Sequence, residues 1–332
     1  MTKNRMSQSV IFVILCCTLI IFSGFRFNVG VDYPNYVGIF YSNKSDVGVK
    51  EPGFLLLMKF IRAIGGNVQM LFAICALITQ FFIFFSIKKL SKNLWLSLIV
   101  YVTIGPFYLT SFNGIRQFAA IGLFYFSLYY LTKRKYIYYI IINVIAAIFF
   151  HASVIVVAFV SIFLLGHFKK ITKLLIIVIN LLSVKFIDYL IQISPYAVYL
   201  KMNKPQSISS VTYLFVLIAF AFILFESRIK PSKNKELFLN LNFLSLLTVL
   251  VALLVKNGML TQMFLRMNSY FFFVYILLIP EILQKMRYSY QYFCKCLLLL
   301  ICIMYYFRAV VITGEKNRIV PYQVRLELFE QY

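Results

Sequence analysis

Eleven apolar stretches run through the 332-residue chain, and the lysines and arginines between them alternate, so that every second connection is a short basic cluster. The predicted spans are about 9–25, 67–87, 94–110, 117–132, 136–150, 152–167, 171–193, 210–226, 236–256, 266–284 and 295–313. A hydrocarbon layer of roughly 30 Å takes about 20 apolar residues in helical form, and the chain supplies such runs repeatedly. With the N-terminus placed in the cytoplasm, the inner connections hold Lys88, Lys89 and Lys92; Lys133, Arg134 and Lys135; and Lys169, Lys170 and Lys173. They also hold Arg228, Lys230, Lys233 and Lys235, then Lys285, Arg287 and Lys295. With Lys3 and Arg5 these make 18 of the 33 basic residues, a bias that fixes orientation in short loops. The expected fold is all-α: one polytopic integral membrane domain over residues 1–332, with about 11 transmembrane helices.

Composition points the same way. Hydrophobic residues make up 62% of the chain and charged residues only 13%, which would leave a soluble domain with far too much apolar surface. A net charge of +23 would suggest nucleic acid in a soluble protein, but the inner basic clusters explain most of it, and no nucleic-acid partner is expected. Four of the six cysteines (Cys16, Cys17, Cys75 and Cys302) fall inside spans, and the spacing of Cys294 and Cys296 does not suit a zinc knuckle. Lys3 and Arg5 ahead of an apolar run from Val10 resemble a signal peptide, but no small-x-small cleavage site follows, so an uncleaved first span is expected.

Residues 51–64 break the alternation. They are apolar but short, with Lys59 and Arg62 among them, and counting them as a span would invert every later loop. They are therefore read as one short re-entrant or interfacial helix on the outer face, opened by Pro52. Segments 136–150 and 152–167 meet at His151 in a tight hairpin whose tip lies near the same face. That face then collects residues 26–40, Glu51 to Phe54, SFNGIRQ, His151, SPYAVYLKMNK, KNGMLTQMFLRMNSYF and the C-terminal tail.

The candidate chemistry lies there. Arg116 stands at the edge of a span, between Asn113 and Gln117, and a charge at that depth calls for a partner. Arg266 is read as opening another span and Arg26 as closing the first; three arginines at helix ends form a set suited to a diphosphate. Asp32, flanked by Gly30, Tyr33 and Tyr36, and Glu51, before Pro52, are the carboxylates that could accept or orient a hydroxyl, with Asp32 preferred; Asp46 is read as a solvated loop acid. His151 is a second proton acceptor, or a histidine bonded at a helix junction. His167 is read as an inner interfacial residue, and Lys185 with Asp188 as a pair within one span. No Walker loop, HExxH, CxxC or G-x-S-x-G is present, so neither metal nor cofactor is expected. The substrate should be an activated molecule already in the membrane; a lipid-linked diphosphate suits the arginines, and the tyrosines suit sugar rings.

At this point the ordered elements resemble a family. They are Arg26…Gly30-Val-Asp32-Tyr33-Pro-Asn-Tyr36, Glu51-Pro52-Gly53-Phe54, Phe112-Asn113-Gly114-Ile115-Arg116-Gln117, Phe150-His151-Ala-Ser153, Arg266-Met-Asn-Ser-Tyr270-Phe271 and Val320-Pro321-Tyr322. In this order the chain resembles the EpsG-like branch of Wzy-type bacterial polysaccharide polymerases. The resemblance implies joining of undecaprenyl-diphosphate-linked oligosaccharide repeat units at the outer leaflet of the cytoplasmic membrane. It would make Arg116, Arg266 and Arg26 stabilisers of the departing diphosphate, and Asp32 or His151 the acceptor of the hydroxyl proton. Tyr33, Tyr36, Gln117 and Tyr270 would hold sugars, with Asn113 and Glu51 also in the substrate site. Partners would be the lipid-linked donor and acceptor and the membrane lipids, with a chain-length-regulating co-polymerase left open. Rival readings are an O-antigen ligase-type enzyme, a flippase or exporter of lipid-linked sugars, and a multispan acyltransferase with His151 as base. The scarcity of mid-membrane charge beyond Lys185 and Asp188 counts against the exporter.

Overall fold

The computed structural model describes residues 2–42, 49–104, 107–184, 210–224, 234–255 and 257–329, with residues 186, 189, 193, 208 and 226 between them. Two compact units emerge, Met1–Ala158 with Arg287–Tyr332, and Phe159–Met286. Among the described residues regular structure is helical apart from one pair of two-residue strands.

The first unit holds α1 (Thr2–Gly24), β1 (Arg26–Phe27), α2 (Tyr33–Tyr41), α3 (Pro52–Ala63), α4 (Val68–Leu90), α5 (Leu94–Thr103), α6 (Ile115–Leu131), α7 (Tyr136–Phe149) and most of α8 (Val154–Ile162). Its central helix is α4, capped at its start by the Asn67 side chain, which accepts from the Gln69 and Met70 amides. Small residues let the neighbours approach. A Cβ on Gly24 would lie 3.2 Å from the Ala73 backbone of α4, and one on Gly122 of α6 would lie 3.0 Å from the Thr79 carbonyl. Buried polar groups tie the same helices: Tyr101 donates to Gln80 Oε1 at 2.5 Å, and Asn143 Nδ2 donates to Ser127 Oγ at 2.8 Å. At one end Lys89 and Lys133 both lie over the Tyr129 ring. At the other end the chain's C-terminal part folds back onto the end of α1. There β2 (Gln323–Val324) pairs antiparallel with β1, Gly30 N donates to the Arg318 carbonyl, and Asn67 binds the carbonyls of Glu327, Leu328 and Phe329.

The second unit holds α9 (Lys170–Leu182), α10 (Ser210–Leu224), α11 (Lys235–Leu254), α12 (Gly258–Phe272) and α13 (Tyr275–Gln284). Its polar links are buried: Asn242 donates to the Ala219 carbonyl at 3.1 Å and accepts from the Tyr275 hydroxyl at 2.7 Å. Lys173 and Glu226 form a buried ion pair at 2.5 Å. Glu281 is equally buried, and both of its carboxylate oxygens lack a hydrogen bond, Lys285 standing 3.4 Å away. Lys173 is therefore an interior residue rather than part of an exposed basic cluster. Buried charge in this unit also extends beyond Lys185 and Asp188, which fall outside the described residues, as does Asp46.

Among the described residues three helices are long and apolar enough to cross a membrane, α4, α11 and the 25 residues from Tyr288 to Ile312, or four if α12 and α13, bent by 40°, make one crossing. The third begins with α14 (Tyr288–Phe307). Only 6% of its apolar window is buried, so bilayer or another apolar surface must cover it. The chain is thus all-α with the helices of a membrane protein, while eleven crossings exceed what helix length alone carries. Several boundaries also differ from expectation. α5 stops after ten residues, because a proline two positions beyond Ile104 has no amide to continue the ladder. The 152–167 stretch gives a helix of nine residues followed by a 3-10 turn, Phe163–Leu165. The 266–284 stretch begins earlier, at Gly258, where the Asn257 side chain caps the Met259 and Leu260 amides.

Candidate functional site

The polar groups of the first unit meet where four short segments converge: the Gly30–Tyr36 turn, the start of α3, the start of α6 and the α7–α8 junction. Each is placed by a local constraint. Gly30 has φ +101°, and a Cβ there would come within 3.0 Å of Asn113 Oδ1 and the Phe112 carbonyl. The Val31 amide donates to Asn113 Oδ1 at 2.7 Å, pinning this turn to the segment that leads into α6. Tyr33 is buried and stacks on Phe72 with ring centroids 4.5 Å apart.

Arg26 lies behind this turn and is 1% exposed. Its Nε donates to the Val29 carbonyl at 3.2 Å and Nη2 to the Phe112 carbonyl at 2.9 Å, while Nη1 binds the Ser23 carbonyl. The guanidinium also lies over the Phe72 and Phe112 rings, at 4.7 and 5.2 Å. Burial pushes it down to about 10, so it remains cationic at neutral pH. With every nitrogen spent on backbone carbonyls, Arg26 is a brace for the Arg26–Asp32 turn.

Arg116 is different. It is the second residue of α6, where a cation opposes the helix dipole by about 0.3–1 kcal/mol, so its placement needs another explanation. Nη1 donates to Glu51 Oε2, the guanidinium lies 5.6 Å from the Phe54 ring centroid, and the Tyr36 hydroxyl is a further hydrogen-bonding neighbour. Nε is buried without a partner. No nitrogen of Arg26 is left in that state.

The carboxylates divide similarly. Glu51 precedes Pro52 with extended backbone; one oxygen binds Arg116 and the other accepts from the Ala152 amide at 3.4 Å, at the α7–α8 junction. Gly53 brings the two segments together, because a Cβ there would fall 2.6–2.7 Å from Phe149 ring atoms and Cα. Replacing Gly53 by Ala should lower the melting temperature, at a cost of about 1–3 kcal/mol for overpacking against backbone; an unchanged melt would mean that this contact relaxes freely. Among the described residues Asp32, before α2, caps no amide and makes no ion pair. Its charge reaches Tyr36, whose hydroxyl burial pushes up, with Arg116 pulling the other way. Tyr36 thus stays protonated, and its oxygen accepts from the arginine, which has only donors.

His151 Nδ1 lies 2.7 Å from Ser153 Oγ and 3.4 Å from the Ser153 amide. An amide can only donate, so this bond favours the neutral ring with its proton on Nε2, a donor rather than an acceptor. Gln117 is buried beside Arg116 in α6. Arg266 and Tyr270 belong to the second unit. Arg266 is the ninth residue of α12, not its opening residue, because the helix starts at the Asn257 cap; Tyr270 is fully buried.

The first unit therefore unites Asp32, Tyr36, Glu51, Arg116 and the His151 junction, and gives Arg26, Tyr33 and Asn113 to the scaffold. Phe54, the Ala152 amide and the C-terminal tie have no role of their own in the sequence reading. Only the tie had a sequence signal, the Gly65-Gly66-Asn67 turn that offers Asn67 as a cap.

The apolar helices are those of a membrane protein, and Arg116 keeps a buried nitrogen without a partner beside the Glu51 carboxylate. The chain belongs to the EpsG family, whose family model matches residues 9–324. No curated protein and no solved structure matches it. Membership points to a role of the polysaccharide-polymerase type.

Proposed function

We propose that the protein joins oligosaccharide repeat units carried on undecaprenyl diphosphate, at the outer leaflet of the cytoplasmic membrane. The observation that carries this reading is the Arg116 guanidinium, incompletely bonded where the family's motif segments converge. A planar fork with spare donors fits a diphosphate leaving group, as an electrostatic stabiliser of the charge that develops on departure. In the step proposed, the acceptor hydroxyl oxygen bonds to the anomeric carbon of the donor sugar. The bond from that carbon to the diphosphate oxygen breaks, the electron pair leaves with the diphosphate, and the hydroxyl proton passes to Asp32. Asp32 suits this role better than Glu51, which is held by Arg116, or His151, whose neutral tautomer donates from Nε2. Tyr36 is electrostatically linked to both groups.

Surface glycan from a deletion strain complemented with the wild-type chain tests the assignment. Restoration of a ladder from single repeat units supports a polymerase. Full-length polymer retained on the lipid carrier in the deletion strain would point to a ligase. The buried Lys173, Glu226 and Glu281 remove the objection from scarce interior charge to a transporter. Repeat units confined to the inner leaflet in the deletion strain would favour that reading.

A further inference from the structure

The Arg116–Glu51 pair raises a difficulty for a turning-over enzyme. A guanidinium that binds diphosphate well must also let it go after every linkage. We propose that Glu51 is a returning counter-ion: it leaves Arg116 when the donor diphosphate arrives, and reclaims the guanidinium to expel the diphosphate product. The inference rests on the polymerase reading above.

Three features support the exchange. The carboxylate takes one guanidinium nitrogen and a 3.4 Å amide bond, a hold that a multidentate anion would outcompete. It also has somewhere to go. Glu51 occupies the N-cap position of α3 with extended backbone, yet its side chain caps nothing. The first-turn amides of α3, at Gly53 and Phe54, have no intrahelical acceptor, and a carboxylate beside them is favoured by the helix dipole. Arg116 and the α3 N-terminus are thus alternative partners for one side chain. Finally, the Phe54 ring beside Arg116 and the Gly53–Phe149 contact fix the backbone around the switch, so the exchange requires only the Glu51 side chain to move.

Binding of inorganic pyrophosphate to the full-length protein in lipid nanodiscs, followed by calorimetry, tests this. Glu51→Gln should bind about tenfold more tightly than wild type, the factor that loss of one competing ion pair allows. The same variant should show a lower KM and a lower kcat for repeat-unit joining, because product release slows. Glu51→Asp, which keeps the charge but shortens the reach to Arg116, should bind pyrophosphate a few-fold more tightly and supplies the test if Glu51→Gln melts. Arg116→Gln should abolish binding. Glu51 variants that bind as wild type or more weakly, while Arg116→Gln loses binding, would overturn the counter-ion role and leave the arginine site standing. Undiminished binding in Arg116→Gln would instead remove the diphosphate reading itself.

Discussion

Arg116→Ala is expected to leave the surface glycan as single repeat units, with turnover reduced on the order of 10²–10³-fold, as for loss of one preorganised stabiliser of developing charge. Arg116→Lys should recover little of this. Lysine keeps the charge but loses the planar fork, and its ammonium cannot reproduce the Nη1 bond to Glu51 while offering parallel donors to phosphate oxygens. The informative control is the exchange Glu51→Arg with Arg116→Glu. It rebuilds a part-buried ion pair between the same two segments, so the melting temperature should recover relative to Arg116→Ala, while polymerisation should not. A swap that restored both stability and ladder would mean that Arg116 is a structural tie, like Arg26, and nothing more. Melting curves and glycan gels on the three variants decide between these outcomes.

Asp32→Asn carries the second large effect. Among the described residues the carboxylate caps no amide and makes no ion pair, so the substitution should leave stability within about 0.5 kcal/mol of wild type. Turnover should fall about 10²–10⁴-fold if Asp32 takes the hydroxyl proton. Tyr36→Phe should lose less, because it removes a contact to Arg116 and not the proton acceptor. The rate for Asp32→Asn, measured with the variant folded, separates a base from a carboxylate that merely repels. A ladder of normal length from Asp32→Asn would transfer the base role to another group, with His151→Gln as the next variant to measure.

The sequence was most readable where hydropathy and a single charge coincide. Asp32, Glu51, Arg116 and His151 stand out as polar groups in apolar surroundings, and the structure brings their segments together in one unit. What each does was less readable, because it depends on long-range partners. Arg26 and Arg116 look alike in sequence, each a cation at a helix end. Three carbonyls from residues 23, 29 and 112 make one a brace, while the other keeps a buried Nε without an acceptor. Lys173 looked like a cytoplasmic anchor because it follows Lys169 and Lys170; its acid, Glu226, lies 53 residues away. Arg266 was misplaced for a local reason. Starting a span at the charge ignored the Asn257-Gly258 start signal, which places the arginine in the second half of α12. The tie between the C-terminal strand and β1 spans nearly the whole chain and leaves no periodicity to detect.

The most direct test reconstitutes the purified protein in liposomes with a synthetic lipid-linked repeat unit and no other enzyme, and follows both products. A glycan ladder with one polyprenyl diphosphate released per linkage, lost in Arg116→Ala and in Asp32→Asn, is the predicted result. Repeat units that cross the bilayer without becoming linked, at a rate indifferent to both substitutions, would contradict it and identify a transporter.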